Sequence, residues 1–236
     1  MNSSHPTIVY IISAPSGSGK STLVNELLKL VPGLDFSISY TTRPPRGSEQ
    51  DGKQYYFVSR REFEQMVADD EFLEHASLYG TDFYGTAKRF LREATQKGHD
   101  LLLDIDVQGA AQIKQKLPEA VSIFVLPPDR KTLEWRLRKR GEDSDAVIHR
   151  RLDAASREIE NYDKYDYILI NDKLEESSES LQAIVYAERL RQAGHPLSPE
   201  QRETADLANR HRLANVRDRV LSILASFRTL APSAQP

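Results

Sequence analysis

The sequence predicts an α/β fold in which a parallel sheet is covered by helices, and three observations carry that expectation. Short apolar, β-branched runs alternate with longer amphipathic or charged stretches: TIVYIIS, KSTLVNELLKL, DLLLDID, VQGAAQIKQKL, AVSIFVLPP, TLEWRLRKR and YDYILIND follow one another along the chain. Such alternation is the pattern of strand, helix and strand units. The runs LLL, SIFVL and YILI are continuously apolar, as strands buried on both faces are. A glycine-rich turn, APSGSGKST, joins the first apolar run to the first amphipathic one.

At 236 residues, with 39% hydrophobic and 28% charged positions, the chain has the composition of one globular domain. A net charge of -3 supplies no global pull toward nucleic acid or an anionic membrane, so any polyanion site has to be local. The absence of cysteine excludes disulfides, zinc-thiolate centres and thiol nucleophiles. MNSSHPTIVY has no basic segment leading into an apolar stretch, and no run approaches the ~18 apolar residues of a membrane span. The expectation is a cytoplasmic protein that binds neither nucleic acid nor membrane.

Taken in order, TIVYIIS is the first strand and KSTLVNELLKL the first helix. The next stretch, FSISYTTRPPRGSEQDGKQYYFVS, alternates apolar and polar residues and is broken by Pro44, Pro45, Gly47 and Gly52. It predicts a small, partly antiparallel insertion. Ser59 and Glu62 have the spacing of a capping box at the start of a short helix. DLLLDID, SIFVL and YDYILIND supply the central strands. A helix restarts after Gly141, giving a helix, a polar turn and a helix suited to a mobile lid. From about Ala187 the tail is helical in pattern, is interrupted by GHPLSP and ends in APSAQP, which has the composition of a disordered segment.

The turn carries the chemistry. Free backbone N-H groups at a glycine loop and at the start of the next helix converge with the positive end of the helix dipole, which makes an anion site. Gly17 and Gly19 let the backbone approach phosphates, Lys20 can reach β- and γ-phosphate oxygens, and the Ser21 hydroxyl can ligate magnesium. The pattern GxxxxGK[ST] has alanine, Ala14, at its first glycine. A small side chain fits there while φ stays negative.

Asp104 and Asp106 lie two apart in LLLDID, which on a strand puts both on one face near the C-terminal end, where ligands of open α/β sheets bind. One or both could simply cap the next helix, which is the better explanation for a lone aspartate; two on one face after a buried run point to magnesium or substrate. Arg43 and Arg46 in YTTRPPRG lie beside two stiffening prolines and suit one phosphate gripped by two guanidinium forks, although solvated arginines have the same spacing. Arg136 and Arg140 are four apart on one helix face, and Arg151 follows on the next helix. The adjacent GEDSD offsets that basic run. The six histidines show no metal-ligand spacing, and Trp135 is assigned to packing.

The phosphate loop, SISYTTRPPRGSEQDGKQYYF, FLEHA, FYGT, LLLDIDVQGA, RLRKRG and YDYILIND, in this order, resemble the guanylate kinase family from about Thr7 to Arg191. The resemblance implies a three-layer P-loop nucleoside monophosphate kinase fold with a parallel central sheet. Its parts would be a core of residues 7–36, 89–140 and 153–191, a GMP-binding insertion over 37–88, a helical lid over 141–152 and an extended helical tail over 192–236.

It also implies Mg2+-dependent phosphoryl transfer from ATP to GMP, with dGMP as a further acceptor. ATP would lie on Ala14, Pro15, Ser16, Gly17, Ser18, Gly19, Lys20, Ser21, Thr22 and Asn171. The GMP phosphate would be held by Arg43, Arg46, Tyr55 and Tyr84, and guanine by Ser39, Glu74, Thr86 and Asp106. Ser21 and Asp104 would serve magnesium, while Lys20, Arg136, Arg140 and Arg151 would surround the transferring group. Three departures stand out: Ser48 replaces a glycine, the stretch before Tyr84 is one residue longer than usual, and the tail beyond Arg191 carries an insertion, QAGHPLSPEQRETADL. A ribose-bisphosphate phosphokinase or a non-catalytic binding module would share this fold. Ser39, Glu74 and Asp106 speak against the first, and the intact Gly17, Gly19, Lys20 and Ser21 against the second.

Overall fold

The computed structural model describes residues 6–78, 82–139, 141 and 144–228. In chain order the elements are β1 (Val9–Ser13), α1 (Lys20–Leu30), β2 (Leu34–Ser37), β3 (Tyr40–Thr41), β4 (Tyr56–Phe57), α2 (Arg60–Ala68), β5 (Phe72–Leu78), β6 (Asp82–Ala87) and α3 (Lys88–Lys97). Then follow β7 (Asp100–Asp104), α4 (Val107–Lys116), β8 (Val121–Leu126), α5 (Arg130–Lys139), α6 (Asp145–Ile159), β9 (Tyr167–Ile170), α7 (Leu174–Ala193), α8 (Pro199–Asn209) and α9 (Leu213–Arg228).

Five strands form a sheet in the order β2-β7-β1-β8-β9. All of β1 and all of β8 are buried, which is why their sequences read as continuous apolar runs. The expected α/β architecture with a parallel central sheet is what the chain adopts. It divides into two compact units, the first taking in the chain up to Ile11 with Val31–Val121, the second Ile12–Leu30 with the chain from Ser122 on.

Within the first unit, β2 runs parallel to β7 in the register Leu34↔Asp100 to Ser37↔Leu103. A second sheet, β4-β3-β6-β5, makes up the small insertion. It is mixed: β3 pairs parallel with β4, while β6 pairs antiparallel with both β3 and β5. Aromatic rings replace a large aliphatic core here. Phe63 stacks on Phe72 at 4.6 Å and packs against Phe83 at 5.6 Å, and Tyr40 stacks on Tyr56 at 4.9 Å. The expected capping box opens α2: Glu62 N donates to Ser59 Oγ at 3.2 Å and Ser59 N donates to Glu62 Oε2 at 2.8 Å. Such a cap stabilises a helix by about 1 kcal/mol.

Within the second unit, β8 and β9 are parallel, from Ile123↔Tyr167 to Leu126↔Ile170. α1 turns Leu23, Val24 and Leu27 inward, one apolar stripe of an amphipathic helix. α5 and α6 are tied by an ion pair from Arg138 to Asp145. The GHPLSP interruption resolves into a helix end at Gly194, with φ 69°, and a second capping box, Ser198 with Gln201, reinforced by Pro199 at the first position of α8.

One expectation fails here. β7 ends at Asp104, and Asp106 sits outside it as the N-cap of α4, its carboxylate accepting from Gly109 N at 2.8 Å. The two aspartates therefore do not share a strand face, because the helix start claims the second one.

Candidate active site

In the second unit the chain leaves β1 at Ser13, passes through Ala14, Pro15, Ser16, Gly17, Ser18 and Gly19, and enters α1 at Lys20, so that Lys20, Ser21 and Thr22 form its first turn. Gly17 and Gly19 have φ of 95° and 90°, a region L residues rarely enter, and among the described residues only Asp70 does so without being glycine. Ala14 thus meets its steric condition. The loop is packed as tightly as its dihedrals suggest. A Cβ on Gly17 would lie 2.9 Å from Leu133 and Leu137, and one on Gly19 would lie 2.3 Å from Asn171 Nδ2.

Asn171, 5% exposed, follows β9 and donates from Nδ2 to Ser18 O at 2.7 Å. Arg136 donates to Asn171 O at 2.9 Å and more loosely to Ser18 O at 3.4 Å. Burial holds the Arg136 guanidinium below its ordinary pKa, with Asp172 and Asp129 opposing. The buried hydroxyls of Ser13 and Ser18 have no hydrogen-bond partner. A hollow of about 440 Å³ opens at Gly17, Gly19 and Thr22 and is walled by α5 and by the chain around Asn171. Arg151 lies part-exposed in α6. Arg140 lies outside the described residues.

A second cluster belongs to the first unit. Arg43 is 5% exposed, and four of its five N-H donors are engaged. Nε donates to Tyr84 Oη at 3.1 Å, NH1 to Glu49 Oε2 at 2.9 Å and to Pro44 O at 2.7 Å, and NH2 to Glu49 Oε1 at 2.9 Å. Glu49 also accepts from Arg46 N at 2.7 Å, and the Arg43 fork holds its carboxyl below the usual range. The Arg43 guanidinium lies 5.2 Å over the Tyr55 ring, which meets Tyr84 edge-on at 5.8 Å. Burial pushes the Tyr55 hydroxyl above its ordinary pKa. The Arg46 side chain is exposed.

Glu74, 4% exposed on β5, is paired in register with Thr86 of β6. Burial raises its carboxyl to about 7; Thr86 favours the ionised form without a hydrogen bond of ordinary geometry, and Asp106 adds to the rise. Room for the carboxylate exists because position 109 is glycine: a Cβ there would stand 2.6 Å from Glu74 Oε2. Gln112 of α4 bonds His75 N and O at 3.3 and 2.8 Å, which fixes β5 against α4. Ser39 lies between β2 and β3, half-buried, its carbonyl accepting from Tyr56 N at 2.9 Å. Asp104 ends β7, half-buried.

The family model for guanylate kinase matches residues 7–188. The chain belongs to the guanylate kinase family. It is 57% identical over 231 residues to the guanylate kinase of Koribacter versatilis (strain Ellin345), covering 97% of this chain and 98% of that one. It is 48% identical over 185 residues to the guanylate kinase of Escherichia coli (strain K12), covering 78% of this chain and 89% of the other. The crystal structure of guanylate kinase from Anaplasma phagocytophilum superposes with a TM-score of 0.64 at 34% identity, over 78% of this chain and 87% of that one.

For a guanylate kinase family chain, sequence reasoning missed three residues of these clusters. Glu49 was readable as an acid three positions after Arg46, and Gly109 as a glycine inside a helical run. Trp135 was assigned to packing, yet it is 58% exposed and lines the hollow beside the phosphate loop. No local signal separates an exposed tryptophan from a buried one when its helix neighbours are mixed.

Proposed function

We infer that this chain is an ATP:GMP phosphotransferase: an oxygen of the GMP phosphate attacks the γ-phosphorus of ATP, the bond to the β,γ-bridging oxygen breaks, and ADP and GDP leave. The observation that carries the acceptor assignment is the buried Glu74 beside Asp106. Guanine presents N-H donors at N1 and at its exocyclic amino group, which a carboxylate accepts. Adenine turns a lone pair toward the same position, and a buried charge left unpaired costs on the order of 3 kcal/mol.

The roles follow the chemistry of each cluster. Arg43, Arg46, Tyr55 and Tyr84 hold the acceptor phosphate; Ser39, Glu74, Thr86 and Asp106 face guanine. Residues 14–22 cradle the donor phosphates, supported by the two positive-φ glycines and by the partnerless hydroxyl of Ser18. Lys20, Arg136, Arg140 and Arg151 neutralise charge on the equatorial oxygens, because phosphoryl transfer demands positioning and charge stabilisation more than a protein base.

Magnesium fits the donor set as a hard cation that takes oxygen ligands, here the Ser21 hydroxyl and the Asp104 carboxylate. Among the described residues no cluster of three or more His, Cys, Asp or Glu could hold a metal alone, so most ligands would come from phosphates and water, as magnesium prefers. When bound, it would neutralise charge on the β- and γ-phosphates. The 37–88 insertion would receive GMP, with dGMP as a further acceptor, and residues 141–152 would act as the lid that keeps water from the phosphoryl group. The site of action would be the cytoplasm; among the described residues no helix is long and apolar enough to cross a membrane.

A coupled ADP-release assay with ATP, magnesium and each nucleoside monophosphate in turn tests this reading. The expected result is turnover with GMP and dGMP far above AMP, UMP and CMP. Equal turnover with AMP would overturn the guanine assignment, and no turnover with any of them would point to a binding module.

A further inference from the structure

The single tryptophan of the chain is placed where packing does not need it. α5 buries Leu133 and Leu137, the residues that lie against the phosphate-loop glycine Gly17, whereas Trp135 is 58% exposed. Its ring instead lines the hollow at Gly17, Gly19 and Thr22, together with Leu174, another exposed apolar side chain. Lys139 Nζ stands 4.8 Å from the ring centroid, so the exposed indole already acts as a platform for a flat or cationic partner at the hollow.

Asn171 borders the same hollow, but its Nδ2 is given to Ser18 O at 2.7 Å and its backbone N to Leu126 O at 2.8 Å. One of the two Nδ2 hydrogens is thereby committed to the loop, which ties Asn171 to the shape of the cradle. An aromatic wall beside a polyphosphate cradle matches one ligand chemistry, an aromatic base joined to a chain of phosphates.

We propose that Trp135 is the stacking platform for the purine base of the donor nucleotide, and that Asn171 acts beside it as a positioning residue for the loop. The proposal rests on the reading of residues 14–22 as the donor phosphate site. Stacking tolerates any flat base, so it sets donor affinity without dictating which purine is used.

The chain's one tryptophan makes the test direct, because a stacked base quenches indole fluorescence. ATP and tripolyphosphate are titrated into wild type, Trp135→Ala and Trp135→Phe, with binding followed by calorimetry and, in wild type, by fluorescence. ATP should quench the emission and tripolyphosphate should not. Trp135→Ala should weaken ATP about tenfold, leave tripolyphosphate unchanged, and be largely rescued by Trp135→Phe. Unchanged ATP affinity in Trp135→Ala, or ATP binding without quenching, overturns the stacking role alone. Failure of both ligands to bind wild type overturns the phosphate-loop reading and this proposal with it.

Discussion

Because burial raises the Glu74 carboxyl to about 7 from an ordinary 4.5, the charge that would accept guanine's N-H groups is only partly formed near neutral pH. KM for GMP should therefore rise as the pH falls below about 7, while KM for ATP stays level; parallel rises would detach the effect from Glu74. The same shift has a stability consequence of definite sign. Between the unfolded value and about 7 the folded chain binds the proton that the unfolded chain releases, so this group's contribution to stability falls as pH rises through that window. Glu74→Gln should raise the melting temperature at pH 8 and leave it nearly unchanged at pH 5. A gain of equal size at both would show that charge is not the cause.

Gly109 is tied to the same carboxylate. Gly109→Ala brings a Cβ to 2.6 Å from Glu74 Oε2, and since α4 is already helical the strain falls on the carboxylate. KM for GMP should rise about tenfold, the weight of one misplaced hydrogen bond, with kcat little changed. Steady-state kinetics check it, and a fall in kcat at constant KM would contradict it. At this scale the sequence was uneven. Lys20 was legible because a strand, a glycine turn and a helix are contiguous, whereas a lone Glu74 in FLEHA has no local signature and entered only through the resemblance.

Elements were most legible where their ends are written in side chains. The box at Ser59 and Glu62 is written in the spacing of the two residues, and Ser198 with Gln201 follows the same rule inside the interruption of the tail. The end of β7 was not legible, since alternation in LLLDID continues past the point where Asp106 turns into a cap.

The tail is fixed by a contact with no short-range signal. Glu188 of α7, 1% exposed, accepts from Tyr167 Oη and Arg212 NH2, both at 2.5 Å, and from Arg191 Nε at 2.7 Å. Arg212→Ala removes one charged donor from a buried carboxylate and should cost about 2 kcal/mol in chemical denaturation. Nucleotide affinities should not change. A variant as stable as wild type would show that Tyr167 and Arg191 suffice.

For the whole molecule, the residues around Arg43 and Glu74 belong to one compact unit and the phosphate loop to the other. Substitutions should therefore separate the two ligands. Lys20→Met should lower turnover by on the order of a thousandfold through lost charge stabilisation, yet leave GMP affinity within about a factor of three by calorimetry. Joint loss of both would show that the clusters are coupled. The alternation of apolar and amphipathic runs specified the parallel sheet, and the order of the separated motifs specified the family, because both depend on the whole chain rather than on any one residue.

The central claim is that a buried carboxylate on β5 chooses guanine. It is tested most directly by the ratio of kcat/KM for GMP to kcat/KM for AMP, measured in wild type and in Glu74→Gln. The account predicts that the ratio falls about a hundredfold in the variant, since its amide cannot supply two acceptors to guanine and can donate to the adenine ring nitrogen. A ratio that stays at the wild-type value would place guanine recognition elsewhere.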